Sequence, residues 1–263
     1  MKWPFKRSSR KDPRREHGVE GLVDLHSHVL PGVDDGAVSL QETTELLDGM
    51  AELGYATVVA TPHFDNDAMT PSIDQQLRSI EEISHARGSR APELLPGAEI
   101  PFDERFIESA RLEKLPRIGA GSAYLLEFGF QPGSVPRGIE DILFRFQIRH
   151  GTIIIAHPER ISDFQRNMER LELLIRAGCL LQVDLLSFVG KHGQSVVRTS
   201  RELLEKGCIH VLSSDIHGPG DLEGLSRAID RVVSWDEARA RKLLSTNPRK
   251  VVEGRSDEVQ EDA

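Results

Sequence analysis

A single α/β domain built on a parallel sheet, closed or nearly closed into a barrel of seven β/α units, is the fold this sequence predicts. Three observations predict it. Short apolar runs alternate with amphipathic stretches from about residue 21 to residue 252. The runs are apolar on both faces, as strands covered by helices require. Seven units of this kind favour a barrel over an open doubly wound sheet, and 263 residues can bury such a core.

Gly21–Leu25 is the first expected strand, followed by a helix in SLQETTELLDGMAELG. Ser39 caps that helix with Glu42 three residues on, and Gly54 ends it. YATVVAT, rich in β-branched residues, is the second strand, and a helix from about Pro71 to Arg87 follows. ELLPGAEI is the third strand, Phe102–Leu112 a helix, and AYLLEF the fourth strand. ILFRFQIRHG ends a helix, GTIIIAHP is the fifth strand, and RLELLIRAG a helix closed by glycine. CLLQVDLL, the helix VVRTSRELLEKG and CIHVLSSD complete strands six and seven. LSRAIDRVVS and DEARARKLLS end the domain as helices.

Composition narrows the partners. The chain is 38% hydrophobic and 29% charged with a net charge of -9, which argues against nucleic acid as a general partner. No apolar run approaches the roughly 20 residues of a membrane-spanning helix. Cys179 and Cys208 read as buried free thiols of a cytoplasmic protein rather than a disulfide. The basic stretch MKWPFKRSSRKDPRREHG lacks the apolar segment of a secretory signal. Residues 1–20 are expected as a flexible basic arm, 21–252 as the folded domain, and 253–263 as a solvated acidic tail.

Histidines and carboxylates gather where strands end. His26 and His28 close the first strand two residues apart, so both imidazoles point to one side. Asp24 shares that face and can orient a histidine, and Asp34 and Asp35 lie in the loop beyond. His63, Glu99, Glu127 and His157 end the next four strands, Arg160 follows, and Asp215 with His217 repeats the first spacing after strand seven. Each position alone has an ordinary explanation as a hydrogen-bonded core histidine or the start of a polar loop. Recurrence across six strands does not. In a barrel these ends meet on one rim. Carboxylates crowded there need cations to neutralise them. Mixed imidazole and carboxylate without thiolate suits Mn²⁺, Fe²⁺ or Zn²⁺, and nine ligands are enough for two or three ions.

DLHSH, TPHF, GAEI, LLEF, IIAHPER and SSDIHG, in this order, resemble the motifs of the PHP (polymerase and histidinol phosphatase) superfamily. LPGVDDGA, the AHPER run and NPRKVV resemble, within it, the bacterial metal-dependent protein-tyrosine phosphatases of the CpsB/CapC type, over about residues 21–252. The resemblance implies a distorted (β/α)₇ barrel holding three Mn²⁺ ions and a role in capsule or exopolysaccharide synthesis. It implies that His26, His28, Glu99 and Asp215 hold the first ion, and that Glu99 bridges to a second completed by Glu127 and His157. Asp35, His63 and His217 would hold the third. Arg160 would bind phosphate, and His63 and His217 would stand with it nearest the chemistry. The implied substrate is the phosphorylated, tyrosine-rich tail of a polysaccharide co-polymerase or its autokinase.

One departure concerns substrate. Family members often carry another phosphate-binding arginine soon after the DxH motif, whereas HGPGDLEGLSR delays the next arginine to Arg227. The reaction expected is attack of metal-activated hydroxide on phosphorus without a phosphoenzyme. Neither cysteine has the arginine spacing of a thiol phosphatase. Alternatives are a small-molecule phosphatase acting on histidinol phosphate or a nucleotide, and a non-catalytic, metal-stabilised phosphotyrosine-binding module. Family rings assemble through a first helix often bearing an ExxR-like pattern. QETTELLDGMAEL lacks its arginine, so homo-oligomerisation stays open.

Overall fold

The computed structural model describes residues 18–64, 72–88, 90–111 and 115–261. The arm expected at residues 1–20 lies, as far as residue 17, outside the described residues, as do Pro71 and Leu112 at the expected helix ends. The strands are β1 (Leu22–Asp24), β2 (Tyr55–Ala60), β3 (Glu93–Pro96), β4 (Glu99–Pro101), β5 (Tyr124–Glu127), β6 (Ile153–Ala156), β7 (Leu180–Asp184) and β8 (Val211–Ser213). All pairings are parallel, in the orders β1-β2-β3 and β4-β5-β6-β7-β8.

The closed seven-unit barrel is therefore corrected to a mixed α/β fold with two parallel sheets. Among the described residues, the β-bridges between them are two isolated ones, Ser27 with Ile216 and His63 with Glu99. The expected third strand accounts for the difference. ELLPGAEI divides at Gly97, with β3 pairing to β2 and β4 to β5. Pro96 has no N–H to extend the ladder. A Cβ on Gly97 would sit 2.8 Å from Val59 Cγ1, so only glycine lets the chain cross so closely from one sheet to the other.

The helices are α1 (Leu40–Glu52), α2 (Ile73–Arg87), α3 (Glu104–Arg111), α4 (Ile139–His150), α5 (Ser162–Arg166), α6 (Glu169–Arg176), α7 (Gln194–Lys206), α8 (Leu222–Trp235), α9 (Glu237–Arg241), α10 (Asn247–Val252) and α11 (Asp257–Glu261). The first cap forms as its residues dictate: Ser39 Oγ accepts from Glu42 N and Glu42 Oε2 accepts from Val38 N. The helix expected from DEARARKLLS breaks into α9 and a π turn at Lys242–Thr246. Pro248, one residue into α10, cannot donate to the preceding turn.

Side chains alternate along the strands between two apolar clusters. Val23, Val59, Leu125, Ile154, Leu180 and Val211 come from both sheets and share one interior cluster. Leu22, Val58, Leu126, Ile153, Leu181 and Leu212 face the other way into the larger cluster beneath the helices. Val259 of α11 is fully buried in the interior cluster. The acidic tail is thus not solvated throughout. Removing Val259 from water against this cluster holds α11 on the domain.

Candidate metal centre

The interior is apolar along the strands and turns polar where they end. His26, His28, His157 and Asp215 are buried one to four residues beyond the carboxyl ends of β1, β6 and β8, and buried Glu99 opens β4, three residues past the end of β3. His157 and Asp215 have φ of 31° and 48°, the two non-glycine residues with positive φ among those described. Such backbone persists only where surroundings over-determine it. Here it turns both side chains toward one point.

Four atoms converge there. His26 Nε2 lies 3.3 Å from His28 Nε2, 3.3 Å from Glu99 Oε2 and 3.3 Å from Asp215 Oδ1. His28 Nε2 lies 3.5 Å from Glu99 Oε2 and 3.4 Å from Asp215 Oδ1. Ligands about 2.0–2.2 Å from a tetrahedral ion are separated by about 3.3–3.6 Å. The five spacings and the donor set fit a divalent cation, with His26 and His28 grouped with Asp215, and His26 also with Glu99 and His157. The opposite nitrogens are engaged: His26 Nδ1 faces Gln182 Oε1 at 3.0 Å and His28 Nδ1 faces Asp34 Oδ2 at 2.7 Å.

The remaining expected residues flank this point. His157 Nε2 is 2.8 Å from Glu99 Oε1 and 3.7 Å from Glu127 Oε1. His63 Nδ1 is 3.0 Å from Glu99 Oε2, while its Nε2 and that of His217 are 3.3 and 3.4 Å from Asp35 Oδ1. The structure brings all nine together. It groups them less discretely than the motifs imply, since ligand atoms of His28 also lie among those of Asp35, His63 and His217, and His63 among those of Glu99 and Glu127.

Electrostatics show that the cluster draws positive charge inward. Burial opposes a proton on His26 most strongly, yet Glu99 and Asp215 outweigh it and raise its pKa to about 10. His28 is likewise driven well up against burial, through Asp215, Asp34 and Glu99. Burial would raise the Glu99 and Asp215 carboxyls, but His26 above all holds both well below the usual range. Glu127 moves up through burial and the neighbouring Glu99. The carboxylates pull protons onto buried imidazoles, and a divalent ion would supply the same positive charge.

Arg160 sits beside the cluster. Its Nη1 donates to Asp215 Oδ2 at 2.6 Å and to Asp184 Oδ2 at 3.1 Å, and its guanidinium lies 4.7 Å from the Phe130 ring centre. Nε and Nη2 make no hydrogen bond with the described residues. Asp184, His192 and Asp215 also offer closely spaced ligand atoms, but the Arg160 guanidinium already occupies the space between the two carboxylates and bonds to both.

Two expectations change. Asp24 does not orient a histidine ring; its Oδ1 accepts from the backbone N of Ser214 and of His26, and its Oδ2 accepts from Ser214 Oγ. It ties β1 to β8 instead. Asp34 has the orienting role, accepting also from the N–H groups of Gly36 and His63. Gln182 and Asp184 were missed, although QVD inside an apolar strand places two polar residues on one face.

Residues 22–253 match the family model described as capsular polysaccharide synthesis, CpsB/CapC. The chain belongs to the CpsB/CapC family. Among curated relatives, the tyrosine-protein phosphatase YwqE of Bacillus subtilis is 29% identical over 204 residues, covering 74% of this chain and 77% of that protein. The tyrosine-protein phosphatase CpsB of Streptococcus pneumoniae is 26% identical over 242 residues, covering 88% and 98%. A solved structure from work on YwqE and CpsB, described as unique metal-dependent tyrosine phosphatases, superposes with a TM-score of 0.80 at 24% identity, over 88% of this chain and 94% of that one.

Proposed function

We propose that this chain is a metal-dependent protein-tyrosine phosphatase serving capsule or exopolysaccharide synthesis. The observation that supports this reading is the spacing of the His26 and His28 Nε2 atoms, each 3.3–3.5 Å from Glu99 Oε2 and Asp215 Oδ1, with Arg160 bonded to the same Asp215. The names of its CpsB/CapC relatives support it. His26, His28, Glu99 and Asp215 would hold the first ion, Glu99, Glu127 and His157 the second, and Asp35, His63 and His217 the third. Mn²⁺ is the favoured occupant, with Fe²⁺ or Zn²⁺ chemically suited. Divalent ions bound there would neutralise phosphoryl oxygens and lower the pKa of a water toward about 7.

The chain's own residues do the rest. Arg160 is held by Asp184, Asp215 and Phe130, so its Nε and Nη2 donors can grip phosphate without first paying for their own ordering. His63 and Asp35, 42% and 66% exposed, make an open rim that admits an extended peptide. A tyrosyl phenolate leaves with a conjugate-acid pKa of about 10, so little proton donation is needed. Cys179 and Cys208 stand at the amino ends of β7 and β8, far from the cluster, and the phosphoryl group passes to water without a phosphoenzyme. The substrate is a phosphotyrosine tail of a polysaccharide co-polymerase or its autokinase, met on the cytoplasmic side.

The test is turnover of Mn²⁺-reconstituted protein on a phosphotyrosine peptide and on histidinol phosphate. Higher kcat/KM on the peptide is expected. Preference for histidinol phosphate would move the assignment to a small-molecule phosphatase. Binding of the peptide without phosphate release would make the chain a binding module.

A further inference from the structure

Gln182 and Asp184 lie two residues apart in β7, and both are fully buried. Neither belongs to the nine residues assigned to ions. Their bonds nevertheless connect the two halves of the site. Gln182 Nε2 donates to Asp184 Oδ1 at 2.9 Å, and Gln182 Oε1 meets His26 Nδ1 at 3.0 Å. Asp184 Oδ2 accepts from Arg160 Nη1 at 3.1 Å. Asp184 is itself fixed, because its N–H donates to Glu159 Oε1 at 3.1 Å, which also accepts from Ser187 Oγ at 2.7 Å.

The direction of each bond follows from chemistry. An ionised carboxylate only accepts, so the Gln182 amide must turn its NH₂ toward Asp184 and its oxygen toward His26. That oxygen also only accepts, so His26 must carry hydrogen on Nδ1. The lone pair of a neutral His26 is then confined to Nε2, the atom 3.3 Å from His28 Nε2, Glu99 Oε2 and Asp215 Oδ1. On the other side, Asp184 and Asp215 together fix the guanidinium plane of Arg160.

We infer that Gln182 and Asp184 are positioning residues, forming one buried relay, His26–Gln182–Asp184–Arg160, that sets the histidine tautomer on the ion side and the arginine direction on the phosphate side. Ion affinity and phosphate affinity are thereby coupled through one carboxylate. The phosphate half rests on the phosphatase reading; the ion half does not.

The test uses the full chain with Mn²⁺ or Zn²⁺ and inorganic phosphate as probes. In Zn²⁺-loaded wild type, ¹⁵N-histidine NMR is expected to show His26 protonated at Nδ1. Gln182→Met keeps volume but removes the acceptor, and should weaken the tightest Mn²⁺ site about 10–100-fold and abolish that signature. Asp184→Asn offers the relay an NH₂ where it needs an acceptor. It should weaken Mn²⁺ binding in the same direction, about tenfold, and inorganic phosphate binding by a similar factor. A folded Gln182→Met with unchanged Mn²⁺ affinity and an unchanged His26 signature would overturn the relay. If Gln182→Met fails to fold, Asp184→Asn decides: Mn²⁺ affinity within twofold of wild type overturns it. Wild-type protein that hydrolyses no phosphomonoester would sink the phosphatase reading, while the Mn²⁺ and NMR arms still judge the relay.

Discussion

The inner and outer parts of the metal centre differ in how their ligands are supported. His26, His28, Glu99 and Asp215 are at most 5% exposed, and both inner imidazoles are held from behind, by Gln182 and by Asp34. Asp35 and His63 are far more open, and His217 is in between. His217 Nδ1 is backed by a neutral group, the backbone carbonyl of Asp215 at 3.0 Å, with the Asp215 carboxylate farther off at 3.8 Å. An inner cation could leave only by exposing a desolvated cluster, whereas an outer one would sit where solvent already reaches. In the proposed reading the centre would join a fixed floor to an exchangeable rim.

The sharpest test removes the floor. His26→Ala should lose the inner ion and reduce turnover by about 10³-fold or more, read by metal analysis and phosphatase assay. An inner ion still present at full stoichiometry would show that the four atoms are not its cage. Arg160→Ala should keep its metal but lose about 10²-fold in kcat/KM, with phosphate inhibition weakened. Full activity would reject its role. At the rim, Asp35→Asn should lower total metal by one ion and activity by about tenfold, leaving the inner ion's affinity unchanged. Equal loss at both levels would erase the distinction between floor and rim.

Protonation separates the levels further. His26, His28, His63 and His157 all titrate above the ordinary histidine value in the metal-free cluster, whereas burial and then His28 push His217 down. Metal binding must expel those protons, so affinity should rise with pH and titration in buffers of differing ionisation enthalpy should show proton release. The smallest effect concerns Glu159. Burial, then Asp184, raises its pKa from 4.5 to about 8. The folded protein holds this proton more tightly than the unfolded chain. The stability it contributes is full below about pH 4.5 and is lost as pH rises through 8. Glu159→Gln should flatten the metal-free stability profile across that window, measured by urea unfolding.

The repeating units and the strand-end ligands were legible because apolar periodicity marks a strand and a carboxylate after it stands out. The break in ELLPGAEI was not, since Gly97 reads the same inside a strand as at a crossing between sheets, and only the nearby Val59 decides. In LPGVDDGA the sequence cannot separate Asp34 from Asp35. Gly36 does so: a Cβ there would sit 2.1 Å from His28 O, so the loop folds back tightly and seats Asp34 behind His28. Gln182 and Asp184 do not stand out because CLLQVDLL reads as one strand running on past Asp184, while their partners lie 156 and 24 residues away along the chain.

The placement of sulfur has a practical outcome. Cys179 is buried, and desolvation pushes its thiol up to about 12. It precedes β7 while Asp184 ends it, so the strand's length separates thiol from reaction centre. Alkylating agents that silence enzymes working through a reactive thiolate should leave this one running, and chelators should stop it. A crude extract treated with iodoacetamide would therefore still report this activity after thiol-dependent phosphatases had fallen silent.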